Sequence, residues 1–269
     1  MQESQDREDS RDEPELPFWD HIDELRGVAT RIVVAFVVAI PIIFCLKKPL
    51  FEIILAPSKS DFIVYRAFSW IASHLPFAEN LSIDSFHVEL INIELASQFF
   101  IHIKTSIFVA FVIIFPYIIA QLYGFIAPAL HSNQRQYSTA VILSSFMLFI
   151  SGVLLSYFII FPFSFRFLST YQVTTEVANM ISLSSYMGTF LSLSLMMGIV
   201  FEIPILTWLL AKMGVITYDM LREFRKHVFV VVLIISAIIT PTGDIITLAL
   251  VAMPIYLLHE LSLLAIKRI

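Results

Sequence analysis

The chain has 269 residues, of which 58% are hydrophobic and 14% charged, with a net charge of −5 and a mean hydropathy of +0.84. Soluble domains carry about 25% charged residues, so this composition excludes a water-soluble globule and indicates a helical membrane protein. The charge balance excludes a broad basic surface for nucleic acid, and the single cysteine excludes an internal disulfide.

The N-terminal region divides into an acidic tail and the start of a membrane domain. Ten of the 22 acidic residues lie in 1–24, and we expect 1–17 to be a disordered tail because it carries few apolar side chains. From Phe18 onward, apolar residues recur at helical spacing, which predicts an interfacial helix that runs into the first span. Residues 18–269 are therefore assigned to one membrane domain.

Uncharged apolar stretches predict six membrane-spanning helices. No charged residue occurs in 105–134 or 136–165. Between the first two spans, about 49–98 is long and mixed in character, which predicts a structured extracytoplasmic cap with an amphipathic helix near 63–75 and a short strand or hairpin near 82–93. The predicted spans are about 28–46, 99–126, 137–165, 183–210, 227–239 and 245–264.

The fifth and sixth helices are expected to be short. From Val228 to Ile239 is 12 residues, or roughly 18 Å at 1.5 Å per residue, whereas the hydrocarbon core of a bilayer is about 30 Å thick. The segment from Thr240 to Asp244 then forces a reversal. Either this hairpin does not cross fully, or the bilayer thins around it.

The distribution of basic residues favours one orientation. If the N-terminus is inside, 11 of the 17 Lys and Arg residues fall on the inner side and 6 on the outer side. Most of the outer ones flank the cap or lie in it, where the rule that basic residues face the cytoplasm is weak. The sequence therefore predicts that both termini are cytoplasmic.

Glu202 interrupts the apolar stretch of the predicted fourth span, two residues before Pro204. A carboxylate at bilayer depth is costly unless it is paired, hydrated or protonated. Two interpretations stay open. Glu202 is either a polar site that faces a water-filled concavity, or a neutral, hydrogen-bonded acid that stabilises helix packing.

A second polar cluster lies at the mouth of the first span, where Glu24 and Arg26 follow His21 by about one turn. A carboxylate there matches a guanidinium group in a bidentate pair, which suggests a receptor for a basic peptide. The alternative is ordinary interfacial charge, with Arg26 extending to the lipid headgroups. Asp244 likewise is either a functional residue or a simple cap of the sixth helix.

No pattern of a catalytic or cofactor site is present in the sequence. The seven glycines have neither dinucleotide-binding nor P-loop spacing, and the seven histidines form no zinc-protease motif. We therefore expect no metal, no cofactor and no enzymatic activity. The residues favour a transporter, or a receptor and conduit for a polypeptide.

Four short motifs occur in order along the chain: 18–26 (FWDHIDELR), 123–130 (YGFIAPAL), 201–204 (FEIP) and 240–244 (TPTGD). They resemble motifs of the TatC family, the membrane receptor of the twin-arginine protein translocase. In that family the corresponding segments are the N-terminal signature, the end of the second span, the fourth-span motif, and the turn between the fifth and sixth helices. The resemblance covers about residue 18 to the C-terminus.

The resemblance implies a cupped, glove-like bundle of six transmembrane helices in the bacterial inner membrane. It also implies recognition of twin-arginine signal peptides on folded cargo, self-association, TatA-like and TatB-like single-span partners, and transport driven by the proton-motive force. The residues alone leave an alternative, a proton-coupled secondary transporter of a small solute. Such carriers commonly contain internal repeats, and no repeat is visible here.

Carried over by position, the resemblance assigns roles to individual residues. Glu24 would accept an arginine of the signal peptide, and Glu202 would contact a polar group of a partner helix or signal peptide from within the concavity. The residues expected to complete the signal-peptide site are His21, Leu25, Arg26, Phe125, Gln134 and Arg135. Those expected at the intramembrane contact and at the structural turn are Phe201, Pro204, Pro241 and Asp244.

The chain departs from the family pattern at three places. Gln134 stands where the family has an acid, and an amide accepts hydrogen bonds only through its oxygen. We therefore expect weaker arginine recognition unless Asp20, Asp23 or the acidic tail compensates. The turn before Asp244 is one residue longer than the common form, and the cap at 49–98 is also longer.

Overall fold

The structure, a computed structural model, describes residues 18–74, 88–126, 138–174, 179–240 and 243–267. These ranges contain eleven α-helices and one pair of two-residue strands, β1 (Leu90–Ile91) and β2 (Ile181–Ser182). The helices are α1 (Phe18–Cys45), α2 (Lys47–Ile54), α3 (Ile63–His74), α4 (Ser97–Ile126), α5 (Ser138–Leu155), α6 (Phe161–Thr170), α7 (Leu183–Val200), α8 (Ile203–Lys212), α9 (Tyr218–Glu223), α10 (Arg225–Ile239) and α11 (Ile245–Ile266).

Five helical stretches of the described ranges are long and apolar enough to span a bilayer, and they match the predicted spans one to four and six. A π-helical turn joins α5 to α6, and a two-residue break separates α7 from α8. The all-α membrane fold is therefore confirmed. The five stretches are Ile22–Cys45, Ser97–Ile126, Thr139–Thr170, Leu183–Lys212 and Ile245–Ile266.

The remaining apolar helix, α10, has 15 residues, or about 22 Å against a hydrocarbon core of about 30 Å. The expectation of a short sixth helix needs correction, because α11 has 22 residues. A Glu260 carboxylate oxygen lies 2.7 Å from an Arg225 guanidinium nitrogen, so the base of α10 is paired with α11 well before α11 ends. Helix α10 is short, and α11 extends beyond the segment that packs beside it.

Helices α1 and α4 pack against each other in antiparallel fashion. The rings of Phe44 and Phe99 lie 6.5 Å apart at one end of the pair. Towards the other end, Arg31 donates a hydrogen bond of 2.8 Å to the side-chain oxygen of Gln121. These two contacts fix the register of the first helix on the second.

The core of the bundle lies around α7, whose residues Leu193 and Met197 are fully buried. Helices α5 and α7 approach each other closely because each has a glycine in their interface, Gly152 on α5 and Gly198 on α7. A Cβ atom on Gly152 would lie 2.6 Å from the carbonyl oxygen of Met197. Small residues of this kind let two membrane helices approach until their backbones touch.

The cap is held onto the bundle by tyrosine hydroxyls. Tyr157 donates to the carbonyl oxygen of Ile53 at 2.7 Å, and Tyr186 donates to that of Ile54 at 2.9 Å. The expected amphipathic helix of the cap is present as α3. The expected strand is β1, which pairs in parallel with β2, whereas 82–87 lie outside the described residues.

Candidate functional site

Glu202 lies at the break between α7 and α8. Proline has no N–H and its ring clashes with the preceding turn, so Pro204 at the start of α8 prevents α7 from continuing as a regular helix. The backbone nevertheless stays helical in direction, because the N–H of Glu202 bonds to the carbonyl oxygen of Ile199 at 3.0 Å. The break therefore places one carboxyl group inside an otherwise apolar span.

The side chain of Glu202 is 8% exposed and lies against α5. Ser145 on α5 donates a hydrogen bond to its Oε2 atom. Among the described residues, its Oε1 atom has no hydrogen-bond partner. The carboxyl group is thus half satisfied by the protein, and one acceptor remains for a further polar group.

Aromatic rings hold the surroundings of this carboxyl group in place. Phe149, one turn after Ser145 on α5, stacks on Phe115 with ring centroids 3.7 Å apart. Its ring also lies over Gly198, one turn before Glu202. The neighbour of Glu202, Phe201, is 9% exposed. The position of Glu202 is therefore fixed by packing on three helices.

The expected peptide-binding mouth lies near the N-terminal end of α1. Glu24 is partly buried there, whereas Leu25 and Arg26 are exposed. Among the described residues, the side chain of Glu24 makes neither a hydrogen bond nor an ion pair. His21 lies within α1, but its side chain is outside the described set.

The end of α4 supplies the other side of this mouth. Phe125 lies in its last turn and is partly buried. The loop that follows, with Gln134 and Arg135, lies outside the described residues. The structure therefore places Glu24, Leu25, Arg26 and Phe125, but it leaves the loop part of the expected site undescribed.

Asp244 caps the N-terminus of α11. Its Oδ1 atom accepts a hydrogen bond of 2.7 Å from the N–H of Thr247, which is the capping geometry that the sequence offered as one of two interpretations. Gly243 before it has a φ of 61°, a left-handed conformation that glycine adopts without strain. Pro241 lies outside the described residues.

Sequence reasoning missed two polar contacts. Ser145 is one of many serines in apolar spans, and only its position opposite Glu202 distinguishes it. Arg31 has a clearer signal, because it is a charge within the predicted first span that needs a partner. Gln121 on α4 is that partner. No group of three metal-ligating side chains occurs within the described part of the chain.

The fold and the site define a polytopic helical membrane protein with a polar mouth at one end and a carboxyl group buried at a helix break. The family model described as Sec-independent protein translocase protein (TatC) matches residues 20–254. The chain therefore belongs to the TatC family and is a subunit of the Sec-independent protein translocase in the bacterial inner membrane. This family is a transport family, and membership does not favour the small-solute transporter.

Individual members of the family are similar to this chain along most of their length. A TatC from Blattabacterium sp. subsp. Periplaneta americana is 36% identical over 93% of this chain and 94% of its own. A TatC from Aquifex aeolicus is 34% identical over 92% of this chain and 93% of its own. A crystal structure of the twin-arginine translocase receptor TatC in DDM superposes with a TM-score of 0.74 at 33% identity, covering 92% of this chain and 99% of that one.

Proposed function

We propose that this protein binds twin-arginine signal peptides of folded cargo at the cytoplasmic face of the membrane and nucleates a translocon driven by the proton-motive force. Its partners are TatA-like and TatB-like single-span proteins, and it associates with further copies of itself. The similarity of this chain to the crystal structure described as the twin-arginine translocase receptor TatC supports this proposal. Orientation with both termini in the cytoplasm follows from the distribution of basic residues.

The register of α1 on α4 is the observation that carries the proposal. Glu24 precedes Arg31 by seven residues, and Phe125 follows Gln121 by four residues. Because Arg31 bonds to Gln121 and the helices are antiparallel, Glu24 lies about 10 Å, and Phe125 about 6 Å, beyond that bond in the same direction. A carboxylate and an aromatic ring therefore share one end of the helix pair.

This arrangement suits a guanidinium group. Two carboxylate oxygens accept two parallel N–H bonds from arginine, whereas lysine offers a point charge without the planar fork. The side chain of Glu24 has no hydrogen-bond or ion-pair partner among the described residues, and in the proposal its carboxylate accepts the guanidinium group. In the proposal, His21, Leu25 and Arg26 shape the site, and Phe125, Gln134 and Arg135 complete it from the side of α4.

Glu202 is proposed to contact a polar group on a partner helix or on the signal peptide. Its Oε1 atom has no partner among the described residues, and Phe201 and Pro204 hold the helix break that presents it. The short helix α10, with the turn at Pro241 and Asp244 that follows it, is proposed to thin the bilayer locally. Thinning shortens the path that folded cargo must cross.

Peptide binding tests the receptor site directly. We would measure the affinity of a synthetic signal peptide with twin arginines, and of its twin-lysine form, for the purified protein in detergent. We expect selectivity for arginine, and we expect Glu24→Gln to weaken binding by about tenfold, or about 1.4 kcal/mol. Glu52→Gln is the matched control, because Glu52 is an exposed acid on α2 beyond the other end of α1.

Three outcomes would count against the assignment of Glu24. The two peptides could bind equally well, Glu24→Gln could leave the affinity unchanged, or Glu52→Gln could weaken binding to the same degree. A variant without 1–15 and with Asp20 and Asp23 neutralised tests compensation for Gln134. Unchanged affinity in that variant would contradict the compensation.

A further inference from the structure

A cavity of about 840 Å³ lies at the end of the bundle opposite Glu24. It is open on one side and is bordered by the end of α1, by α2, and by the first turns of α4 and α7. This volume falls within the range of about 300–1,000 Å³ that is usual for small-molecule sites. Nothing in the proposed receptor function uses this cavity.

The cavity has an apolar wall and a polar edge. Phe44, Phe51, Leu55 and Phe99 supply most of the wall. The polar edge consists of Lys47, Gln98 and His102. An occupant that fits both parts has a long apolar portion and a negatively charged or strongly accepting portion.

His102 closes the inner end of the cavity with its ring. The side chain is 7% exposed, and its ring stacks on Phe44 with centroids 3.9 Å apart. Its Nε2 atom has no hydrogen-bond partner within the described ranges. A buried ring nitrogen without a partner destabilises the protein, so a turn of the ring that brings Nε2–H to an accepting occupant of the cavity stabilises it.

The position of the cavity decides the class of occupant. His102 lies five residues into α4, about 7 Å along the helix from its first residue. Lys47 follows the last residue of α1 by two positions. The cavity therefore lies where two spanning helices end, at the depth of lipid headgroups and ester groups.

We propose that this cavity is a binding site for one phospholipid of the leaflet at this end of the bundle. The lipid phosphate lies between the ammonium group of Lys47 and the side-chain amide of Gln98. The ring of His102 turns towards the cavity, and an ester carbonyl oxygen accepts the hydrogen bond from its Nε2–H. One acyl chain covers the rings of Phe44 and Phe99. Inorganic phosphate lacks the acyl chain and would leave this wall open to water.

The chain carries its own reporter for this site. Cys45 is the single cysteine of the sequence, it is exposed, and it lines the same cavity. Its rate of alkylation by N-ethylmaleimide therefore reports occupancy without any mutation. We would measure this rate on the purified, delipidated full chain during titration with phosphatidylglycerol.

A lipid concentration ten times the dissociation constant is expected to slow alkylation by about tenfold by mass action. His102→Leu and Lys47→Gln are expected to remove this protection, and His102→Gln to keep part of it. Lys48→Gln is the matched control, because Lys48 is an exposed neighbour of Lys47 that does not line the cavity. It is expected to keep the full protection. Size-exclusion chromatography checks that each variant is folded.

Several results would overturn the proposal. Phosphatidylglycerol could fail to protect Cys45, or it could protect all variants equally, which would indicate non-specific shielding. Inorganic phosphate or glycerol phosphate could protect as well as the lipid, which would assign the site to a free anion. Protection only by a co-purified partner protein would assign the cavity to an interface between proteins.

Discussion

Gly198 on α7 lies directly beneath the ring of Phe149 on α5: a Cβ atom on this glycine would come within 2.6 Å of the ring atom Cε2. Ser145 lies one turn before Phe149 on α5, and Glu202 lies one turn after Gly198, in the break that follows α7. Ser145 donates a hydrogen bond to Glu202. The glycine contact and the carboxyl contact are therefore neighbours on the same two helices. The close approach at Gly198 sets the distance at which Ser145 can reach Glu202.

Gly198→Ala is expected to destabilise the protein by about 1–3 kcal/mol, because the added methyl group must push the ring of Phe149 away. Gly188→Ala is the matched control on the same helix. A Cβ atom there meets nothing within 4 Å, and removing a helical glycine contributes about 0.5–1 kcal/mol of stability. The measurement is the thermal midpoint Tm of each variant in detergent. A Tm for Gly198→Ala equal to or above that of Gly188→Ala would contradict the packing described here.

Ser145→Ala is expected to lower the free energy of unfolding by about 1–3 kcal/mol, because it leaves the buried Oε2 atom of Glu202 without its donor. Glu202→Gln is expected to keep the stability, since an amide oxygen still accepts from Ser145 and no charge is buried. If Glu202 also contacts a partner, Glu202→Gln lowers transport while Tm is unchanged. Thermal unfolding and a transport assay on the same variants separate the two effects.

A cycle of Ser145→Ala, Glu202→Leu and the double variant supplies the control for this pair, because each of these substitutions removes the contact. The Ser145 hydroxyl and the Glu202 side chain contact each other, so their effects on stability are expected not to add. Additive losses would show that the two groups act independently. Wild-type transport by Glu202→Gln would remove the functional assignment and leave Glu202 as a packing residue.

The sequence predicted most of the helices because membrane spans are long and uniformly apolar. Glu202 was identifiable for the same reason, since a single acid in such a span has no local explanation. Its partner Ser145 was not identifiable, because 57 positions separate the two residues and serine is common in these spans. The length of α11 was misjudged because the shortness of the fifth helix was extended to the sixth, although apolar residues continue past Glu260.

The attachment of the cap was also beyond sequence reasoning. Tyr65, Tyr157 and Tyr186 look like ordinary aromatic residues of amphipathic or apolar helices. In the structure, their hydroxyl groups all reach carbonyl oxygens between Ile53 and Pro57 at the end of α2. Contacts of this kind join segments up to 132 positions apart, and no local pattern encodes them.

Tyr186→Phe is expected to destabilise the attachment of α2 by about 1 kcal/mol, because the carbonyl oxygen of Ile54 loses its donor while the ring packing stays. Hydrogen exchange of the backbone amides in 53–58 should speed up accordingly. Tyr117→Phe is the control, since this exposed tyrosine has no hydroxyl hydrogen bond in the described part of the chain. Equal exchange rates in the two variants would show that the hydroxyl of Tyr186 does not hold the cap.

Tyr65 on α3 makes the cap sensitive to alkaline pH. Its side chain is 1% exposed, and its hydroxyl lies 2.9 Å from the carbonyl oxygen of Pro162. Burial raises the pKa of this phenol well above its usual range, and the nearby guanidinium group of Arg166 offsets part of the rise. A raised pKa in the folded state means that the contribution of Tyr65 to stability is fully present below the unfolded pKa of about 10 and declines as the pH rises above it.

Tyr65→Phe is therefore expected to be less stable than the wild type at pH 8, but to lose less stability between pH 8 and about 11. Thermal midpoints measured across this range test the difference in slope. Tyr117→Phe should follow the wild-type slope, because this tyrosine is exposed and makes no hydroxyl hydrogen bond in the described part of the chain. Parallel curves for Tyr65→Phe and the wild type would show that the buried phenol does not control the alkaline limit of stability.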